Sequence, residues 1–377
     1  MSPGRNMDFE FSADQEMLRD TVRRFLADRA PTSYVREMLD DPRGTTDAVW
    51  RELSALGLTG ILVPETHGGA GMGMVDMGVV LEEMGRAAHP GHFLSSAVSA
   101  VHVVQSVAID DEQADLLPSL ADGSLVATVA LLEPGRRYDW RAPATTAKAG
   151  TDGWTLHGTK AHVPDGAAAG LLLVTASTDD GLGVFAVETD ASGMTITPQT
   201  SVDGTRKQAT VELNGAPARL LGTPGSAVET AVATAVDVTV VALVVDAVGA
   251  ASWCLDTALA YAKEREQFGR PIGSFQAVKH LCADMLHDLE LARAGSYYAL
   301  WAVDAGDEAE RHRAATMAKA YASDALFRVA ASTIQVLAGI GFTWEHDAHL
   351  FYKRIVSMQQ ALGTSTDHLA ELADLVL

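Results

Sequence analysis

The sequence is poor in cysteine and in positive charge, and it has no proline-rich or glycine/serine-rich tract. Cys254 and Cys282 are the only cysteines in 377 residues. Neither lies in a CxxC or Cys/His spacing, which excludes a disulfide framework and a structural zinc site. Both thiols are expected inside helices, buried. Lys and Arg number 28 against 49 Asp and Glu, a formal net charge of -21. Such a surface repels nucleic-acid phosphates and anionic lipid, so the partners expected are small molecules and other proteins. With 47% apolar and 20% charged residues, the chain has the composition of an ordered globular protein and the length to bury a large core. The N-terminal MSPGRNMDFEFSADQEML lacks the continuous apolar run of a secretory signal, which predicts a cytoplasmic address. One apolar stretch, Ala231 to Ala262, is long enough to draw attention, yet it carries Asp237, Asp246 and Asp256. An aspartate at a bilayer centre costs about 2.5–3.5 kcal/mol on insertion scales, so this stretch is expected as a buried helix and not a membrane span.

Hydrophobic periodicity divides the chain into three parts. Ser12 with Gln15 has the form of a capping box, and Leu18, Val22, Phe25 and Leu26 then fall on one helical face. Trp50 to Leu56, Met74 to Met84 and His92 to Val107 repeat the helical pattern around a glycine-dense turn, PETHGGAGMG (Pro64 to Gly73). From Ser124 the period shortens: Leu125 to Leu132, Trp154 to Leu156, Leu171 to Thr175, Gly183 to Val187 and Ala209 to Leu213 have the features of strands. From Ser226 an alanine-rich helical pattern returns, broken near Gly269 to Gly273, Gly306, Gly339 to Gly341 and Gly363. The expected fold is α+β: an N-terminal helical domain (1–123), a middle β domain (124–222) and a C-terminal bundle of three or four long helices (223–377). His162, His280, His312, His346 and His349 show no metal-ligand spacing, so no metal is expected. The GGAG of Gly68 to Gly71 lacks the strand-then-helix context of a dinucleotide loop. The tryptophans are expected in the core.

The segment REQFGRPIGSFQ (Arg265 to Gln276), continued by AVKHLCAD, and the tail QVLAGIGFTWEHDAHLFYKR (Gln335 to Arg354) closely resemble signatures of the acyl-CoA dehydrogenases. PETHGGAGMG, LLEPG (Leu131 to Gly135) and GTK (Gly158 to Lys160) match further motifs in the same order, so the resemblance spans nearly the whole chain. It implies a three-part fold, a dimer or tetramer, and an FAD that lies across a subunit interface. It also implies that Arg265, Gln267, Phe268, Gln276, Gln335, Gly339 and Gly341 bind the adenosine diphosphate part of FAD held by the neighbouring chain. Guanidinium and amide donors suit a pyrophosphate, and glycines let backbone N–H groups approach it. The alternative for Arg265 is a helix-end residue paired with Glu264 or Glu266. The alternative for Gly339 to Gly341 is a plain tight turn.

The chain departs from that family where the chemistry occurs. In the resembled reaction, α,β-dehydrogenation of an acyl-CoA thioester, a carboxylate takes the α-proton while the β-hydrogen leaves as hydride to the flavin. The tail motif that normally carries this glutamate is Ala361-Leu362-Gly363-Thr364, so a leucine stands at the base position. The alternative position on the preceding helix is Thr239, followed by Val240 where the resemblance expects arginine. Asp246 is the nearest carboxylate on that helix face. It is either an atypical base or a buried structural carboxylate paired with an arginine of a neighbouring helix. Asp367 and Glu371 are expected to face solvent. Flavin-facing donors are replaced by Leu132, His162 and Pro164, and the Gly-Ser that would contact the CoA chain reads Arg137-Tyr138. The catalytic residue is therefore unassigned, and three readings stand. The chain is a non-catalytic partner of a homologous dehydrogenase subunit, like those of heteromeric actinobacterial steroid side-chain enzymes. Or it is an active homo-oligomer using Asp246, passing electrons to an acceptor such as electron-transfer flavoprotein. Or it binds acyl-CoA or FAD without redox chemistry.

Overall fold

The computed structural model describes residues 11–151 and 153–377. The chain runs α1 (Ala13–Arg29), α2 (Thr32–Met38), α3 (Asp47–Ala55), α4 (Met74–Arg86), a π-helical segment Leu94–Ala100 continuing into α5 (Val101–Val107), and α6 (Asp110–Ala121). Seven strands follow: β1 (Ala127–Ala130), β2 (Thr146–Gly150), β3 (Gly153–Pro164), β4 (Leu171–Thr178), β5 (Gly181–Glu188), β6 (Met194–Gln199) and β7 (Gln208–Leu221). Then come α7 (Ser226–Glu264), a hairpin of β8 (Glu266–Gln267) and β9 (Arg270–Pro271), α8 (Gln276–Ala305), α9 (Glu308–Leu337), α10 (Ala348–Gln360) and α11 (Ser365–Val376). The expected α+β order of helices, strands and helices is present. Helices α2 and α6 and strands β2 and β6 were not expected. Both strands are largely exposed, so neither carries the apolar run that marks a strand in sequence.

By its contacts the chain divides into two compact units. One gathers the chain up to Val35, Met74–His89 and Val240–Leu377, and the other Arg36–Gly73 and Pro90–Thr239. The first is helical. Its α1 begins with the expected capping box, Ser12 and Gln15 each accepting from the other's backbone N–H at 3.2 and 3.0 Å. Between Val240 and Ala251, α7 is buried nearly all round, as a helix apolar on every face must be in a soluble fold. Asp246 pairs with Arg354, and Asp256 with Arg86 at 2.6 Å. Helix α7 and the Glu308–Phe342 stretch are long and apolar enough to cross a membrane, but 67% of the α7 window is buried within the protein. Two glycines let α4 and α7 meet backbone to backbone: a Cβ on Gly85 would stand 1.7 Å from the Asp246 carbonyl oxygen, and one on Gly249 1.8 Å from that of Glu82. Cys254 is buried as expected, whereas Cys282 is partly exposed on α8.

The second unit holds the sheet. Strands β4, β2, β3, β7 and β5 form a ring closed by the β4–β5 pairing, with β1 parallel to β4 and β6 antiparallel to β7 on its outside. Closure leaves the ring strands without free edges. Leu156, Leu172, Val174, Phe185, Val187 and Val211 fill its core. One charged pair is also buried in this unit. Lys160 on β3 donates to Glu133 at 2.8 Å, to Thr175 Oγ1 at 3.1 Å and to the Leu131 carbonyl at 3.3 Å. Burial pulls the Lys160 ammonium down to about 8. Burial pushes Glu133 up, but hydrogen bonds from Lys160 and Thr145 and the lysine charge outweigh it and hold the carboxyl at about 2.

Candidate functional site

Helix α7 stops at Glu264, and the chain turns into a hairpin whose root is closed by a hydrogen bond from Ile272 N–H to the Arg265 carbonyl at 2.8 Å. Glu266 pairs with Pro271 and Gln267 with Arg270, leaving Phe268 and Gly269 as a two-residue tip. Their φ values are 53° and 75°, the pair of left-handed residues that a type I′ hairpin turn requires. Glycine adopts this freely; a phenylalanine there is strained. Phe268 is 93% exposed, and Arg265, Gln267 and Gln276 are exposed as well. The Arg270 guanidinium lies 4.2 Å over the Phe275 ring, which meets Phe268 edge-on at 6.1 Å. The alternative pairing of Arg265 with Glu264 or Glu266 does not occur among the described residues. The hairpin thus presents a guanidinium, carboxamides and an aromatic face outward.

At the end of α9, Gln335 and Gly339 are exposed and Gly341 is buried. A Cβ on Gly339 would meet open space, whereas one on Gly341 would press on the Ile334 carbonyl oxygen at 3.0 Å. The glycine-like backbone belongs to neither: Ala338 takes φ 53° and ψ −135°. Ala338 carries no sequence signal beyond its place beside Gly339. Phe342 is 81% and Trp344 60% exposed, so Trp344 departs from the expectation that the tryptophans lie in the core. It stacks on His349 at 4.3 Å, with Lys353 Nζ 5.0 Å from its ring centre. It sits in a loop, where no period distinguishes inward from outward.

None of the three candidate base positions offers a free carboxylate. Leu362 is half-buried with φ 53°. Its turn is held from two sides: the Leu362 carbonyl accepts from His368 Nε2 at 2.9 Å, and the buried Lys319 donates to the carbonyls of Met358 and Gln359 at the end of α10. Burial lowers the Lys319 ammonium to about 7. Thr239 donates its one hydroxyl proton to the Ala235 carbonyl at 2.8 Å and so accepts from Ser99 at 2.9 Å. Asp246, 2% exposed, receives both arms of Arg354: Nε to Oδ2 at 2.8 Å and Nη2 to Oδ1 at 2.7 Å. Arg354 Nη2 also donates to the His89 carbonyl at 3.1 Å. This is the structural pairing named above as the alternative to a base. Asp367 and Glu371 do not simply face solvent. Asp367 caps α11 by accepting from Thr364, and Glu371 lies 3.1 Å from His312 and 3.9 Å from His368.

In the second unit, His162 falls in a bulge of β3 with φ 52° and meets Gln208 at 3.1 Å. Pro164 has no N–H, and its carbonyl accepts from Thr128 Oγ1 at 2.7 Å. Leu132 accepts from Ala161 N–H through its carbonyl at 2.9 Å, and its side chain offers no donor. Leu132 and Pro164 fit an isoalloxazine poorly, because its ring heteroatoms need hydrogen-bond donors and neither side chain has one. The arm of the first unit has the donor chemistry that the diphosphate of FAD needs. No group of three or more His, Cys, Asp or Glu side chains able to hold a metal occurs among the described residues.

Comparison with known proteins converges on one family. The acyl-CoA dehydrogenase N-terminal, middle and C-terminal domains match residues 12–124, 128–216 and 230–377. The acyl-CoA dehydrogenase FadE34 of Mycobacterium tuberculosis is 38% identical over 94% of this chain, which spans only 46% of that protein. The solved Tcur3481–Tcur3483 steroid ACAD superposes with a TM-score of 0.88 at 34% identity, covering 96% of this chain and 97% of that one. The ChsE4–ChsE5 complex from Mycobacterium tuberculosis superposes with a TM-score of 0.87 at 27% identity, covering 98% of each chain. With all three domains matched and the fold shared end to end, the chain belongs to the acyl-CoA dehydrogenase family of FAD-dependent oxidoreductases.

Proposed function

We propose that this chain is the non-catalytic partner subunit of a heteromeric acyl-CoA dehydrogenase acting in the cytoplasm. It lends Arg265, Gln267, Phe268, Gln276, Gln335, Gly339 and Gly341 to the adenosine diphosphate part of an FAD held mainly by a homologous chain. The observation that carries this reading is an asymmetry: the arm residues other than Gly341 are exposed and in a set conformation, while all three base positions are closed to proton abstraction. A leucine has no basic atom, the Thr239 hydroxyl is engaged on both sides, and Asp246 is clamped by a bidentate guanidinium. Bound FAD supplies the hydride acceptor. This chain's own residues position its diphosphate, and the α-proton of the thioester goes to a carboxylate of the homologous subunit. Two relatives bear on the pairing: one is described as a complex of two named chains, and this chain spans about half the length of another, which leaves room there for a second segment of similar size. Electrons then pass to an acceptor such as electron-transfer flavoprotein.

The test is flavin retention. The assembled complex carrying Arg265→Ala should hold FAD more weakly by about 1.5–3 kcal/mol, the scale of a lost charged hydrogen bond. Equilibrium dialysis against FAD with absorbance readout measures this directly. Unchanged FAD affinity would remove the arm from the site, and a chain that binds FAD stoichiometrically when purified alone would contradict the partner role.

A further inference from the structure

The turn that carries Leu362 is built around one imidazole. Its backbone takes positive φ at two consecutive residues, 53° at Leu362 and 109° at Gly363. Gly363 also keeps the space clear, because a Cβ there would stand 2.7 Å from His368 Nε2. The His368 ring itself is 7% exposed. A carbonyl oxygen can only accept, so the 2.9 Å contact between His368 Nε2 and the Leu362 oxygen fixes a proton on Nε2. In the neutral ring Nδ1 then carries the lone pair. It is sealed from water and meets no hydrogen-bond donor among the described residues. Glu371 Oε2, one turn on along α11, lies 3.9 Å from it.

The groups around the ring decide what a second proton does. From α9, His312 Nε2 lies 3.1 Å from Glu371 Oε1, with Arg311 and Arg313 beside it in the chain. Lys319, also on α9, holds the carbonyls of Met358 and Gln359 just ahead of the turn, and Asp324 accepts from Ser365 Oγ at the start of α11 at 3.1 Å. On α11 itself, Asp367 is committed to the Thr364 cap. Protonating Nδ1 therefore adds a buried cation near the Lys319 ammonium, with Glu371 already engaged by His312. Burial draws the His368 imidazole below its ordinary 6.5, and the Lys319 charge adds to this; the Leu362 carbonyl and the carboxylates of Glu371 and Asp367 oppose the shift without outweighing it. Because the seated ring favours the neutral form, its hold is complete above about 6.5 and is lost as pH falls from there toward the lowered value.

We propose that His368 is a proton-operated latch on α11. Neutral, the ring pins the Leu362–Gly363 turn to that helix. Protonated at Nδ1 by a proton from solvent, it leaves its seat, the Nε2–H bond to the Leu362 carbonyl breaks, and the turn and α11 loosen from α9. The latch goes beyond the partner-subunit reading and stands whether or not that reading holds.

Hydrogen–deuterium exchange of the full chain tests it at about pH 7.5 and about pH 5.5, either side of the ordinary histidine value. After correction for the intrinsic pH dependence of amide exchange, a histidine wholly neutral when seated would contribute roughly tenfold over this range. Protection of α11 should fall by about threefold or more between the two conditions. His368→Gln keeps a side-chain donor for the Leu362 carbonyl but takes no proton, so this fall should disappear. Glu371→Gln removes the carboxylate that favours the charged ring and should move the midpoint of opening to lower pH. Circular dichroism establishes that each variant folds. An NMR titration of His368 in the unaltered chain reads the ring without any substitution, and its midpoint should lie below 6.5. A midpoint at or above that value, α11 protection independent of pH, or a pH dependence that survives in folded His368→Gln would each overturn the latch.

Discussion

Replacing Asp246 by asparagine separates the two roles that its position allows. The carboxylate is 2% exposed and receives two hydrogen bonds from an arginine that is itself 2% exposed. An amide of the same shape keeps one acceptor but leaves the guanidinium without its counter-charge. Breaking a buried ion pair from one side costs about 3–5 kcal/mol. At ~2.1 cal/mol/K per residue over 377 residues, a loss of about 3 kcal/mol lowers the melting temperature by roughly 4 °C if the chain unfolds as one unit. Asp246→Leu combined with Arg354→Met should recover part of this, because no orphaned charge remains. Scanning calorimetry of the single and double variants measures the stability change, and α,β-dehydrogenation by the assembled, flavin-loaded complex measures the chemical one. In folded Asp246→Asn complex the turnover should stay within about threefold of the parent, whereas loss of a general base costs about 10²- to 10⁴-fold. A hundredfold fall in turnover with an unchanged melting temperature would refute the assignment of Asp246 to an ion pair and make it the base.

Three other outcomes follow from particular contacts. Ala338→Gly relieves a backbone at φ 53° and ψ −135° and should raise stability by about 1 kcal/mol in urea unfolding; a loss of stability would show that the strain is not there. Glu133 is held at about 2 against an ordinary carboxyl value of 4.5. Its stabilising contribution is therefore complete above that ordinary value and lost as pH falls from there to about 2, so Glu133→Gln should flatten the acid limb of the melting-temperature profile. Leu362→Glu should not confer dehydrogenation on this chain alone, because Leu132 and Pro164 still supply no side-chain donors to a flavin; turnover from that single change would show that only the carboxylate had been lost.

The helical parts of the fold were legible where a strong apolar period met a glycine stop, as at Gly306 and at Leu362-Gly363. Strands β2 and β6 were not, because they are held by pairing to β3 and β7 and bury few side chains. Asp246 could be located on its helix face from sequence but not paired, since Arg354 lies 108 positions away. The arm residues were visible as a motif, and their exposure follows from a turn whose conformation no periodicity encodes. Lys319 gave no signal at all: a lysine among alanines looks like a solvated surface residue, yet it is fully buried against the end of α10. Asp367 and Glu371 were misjudged for the same reason, their partners Thr364, His312 and His368 being recognisable only after folding.

The left-handed pair at the hairpin tip, Phe268 and Gly269, bears on how fast a complex assembles. A two-residue turn with ladder pairs on both sides and a hydrogen bond closing its root has few other conformations to visit. In the proposed complex the arm would therefore meet its docking surface as a formed element, with little ordering entropy left to be lost on contact. Association becomes a problem of orientation between two rigid shapes, with rate constants in the range of about 10⁵–10⁷ M⁻¹s⁻¹ set by collision geometry. The lifetime of the proposed assembly would then rest on how slowly a seated Phe268 withdraws.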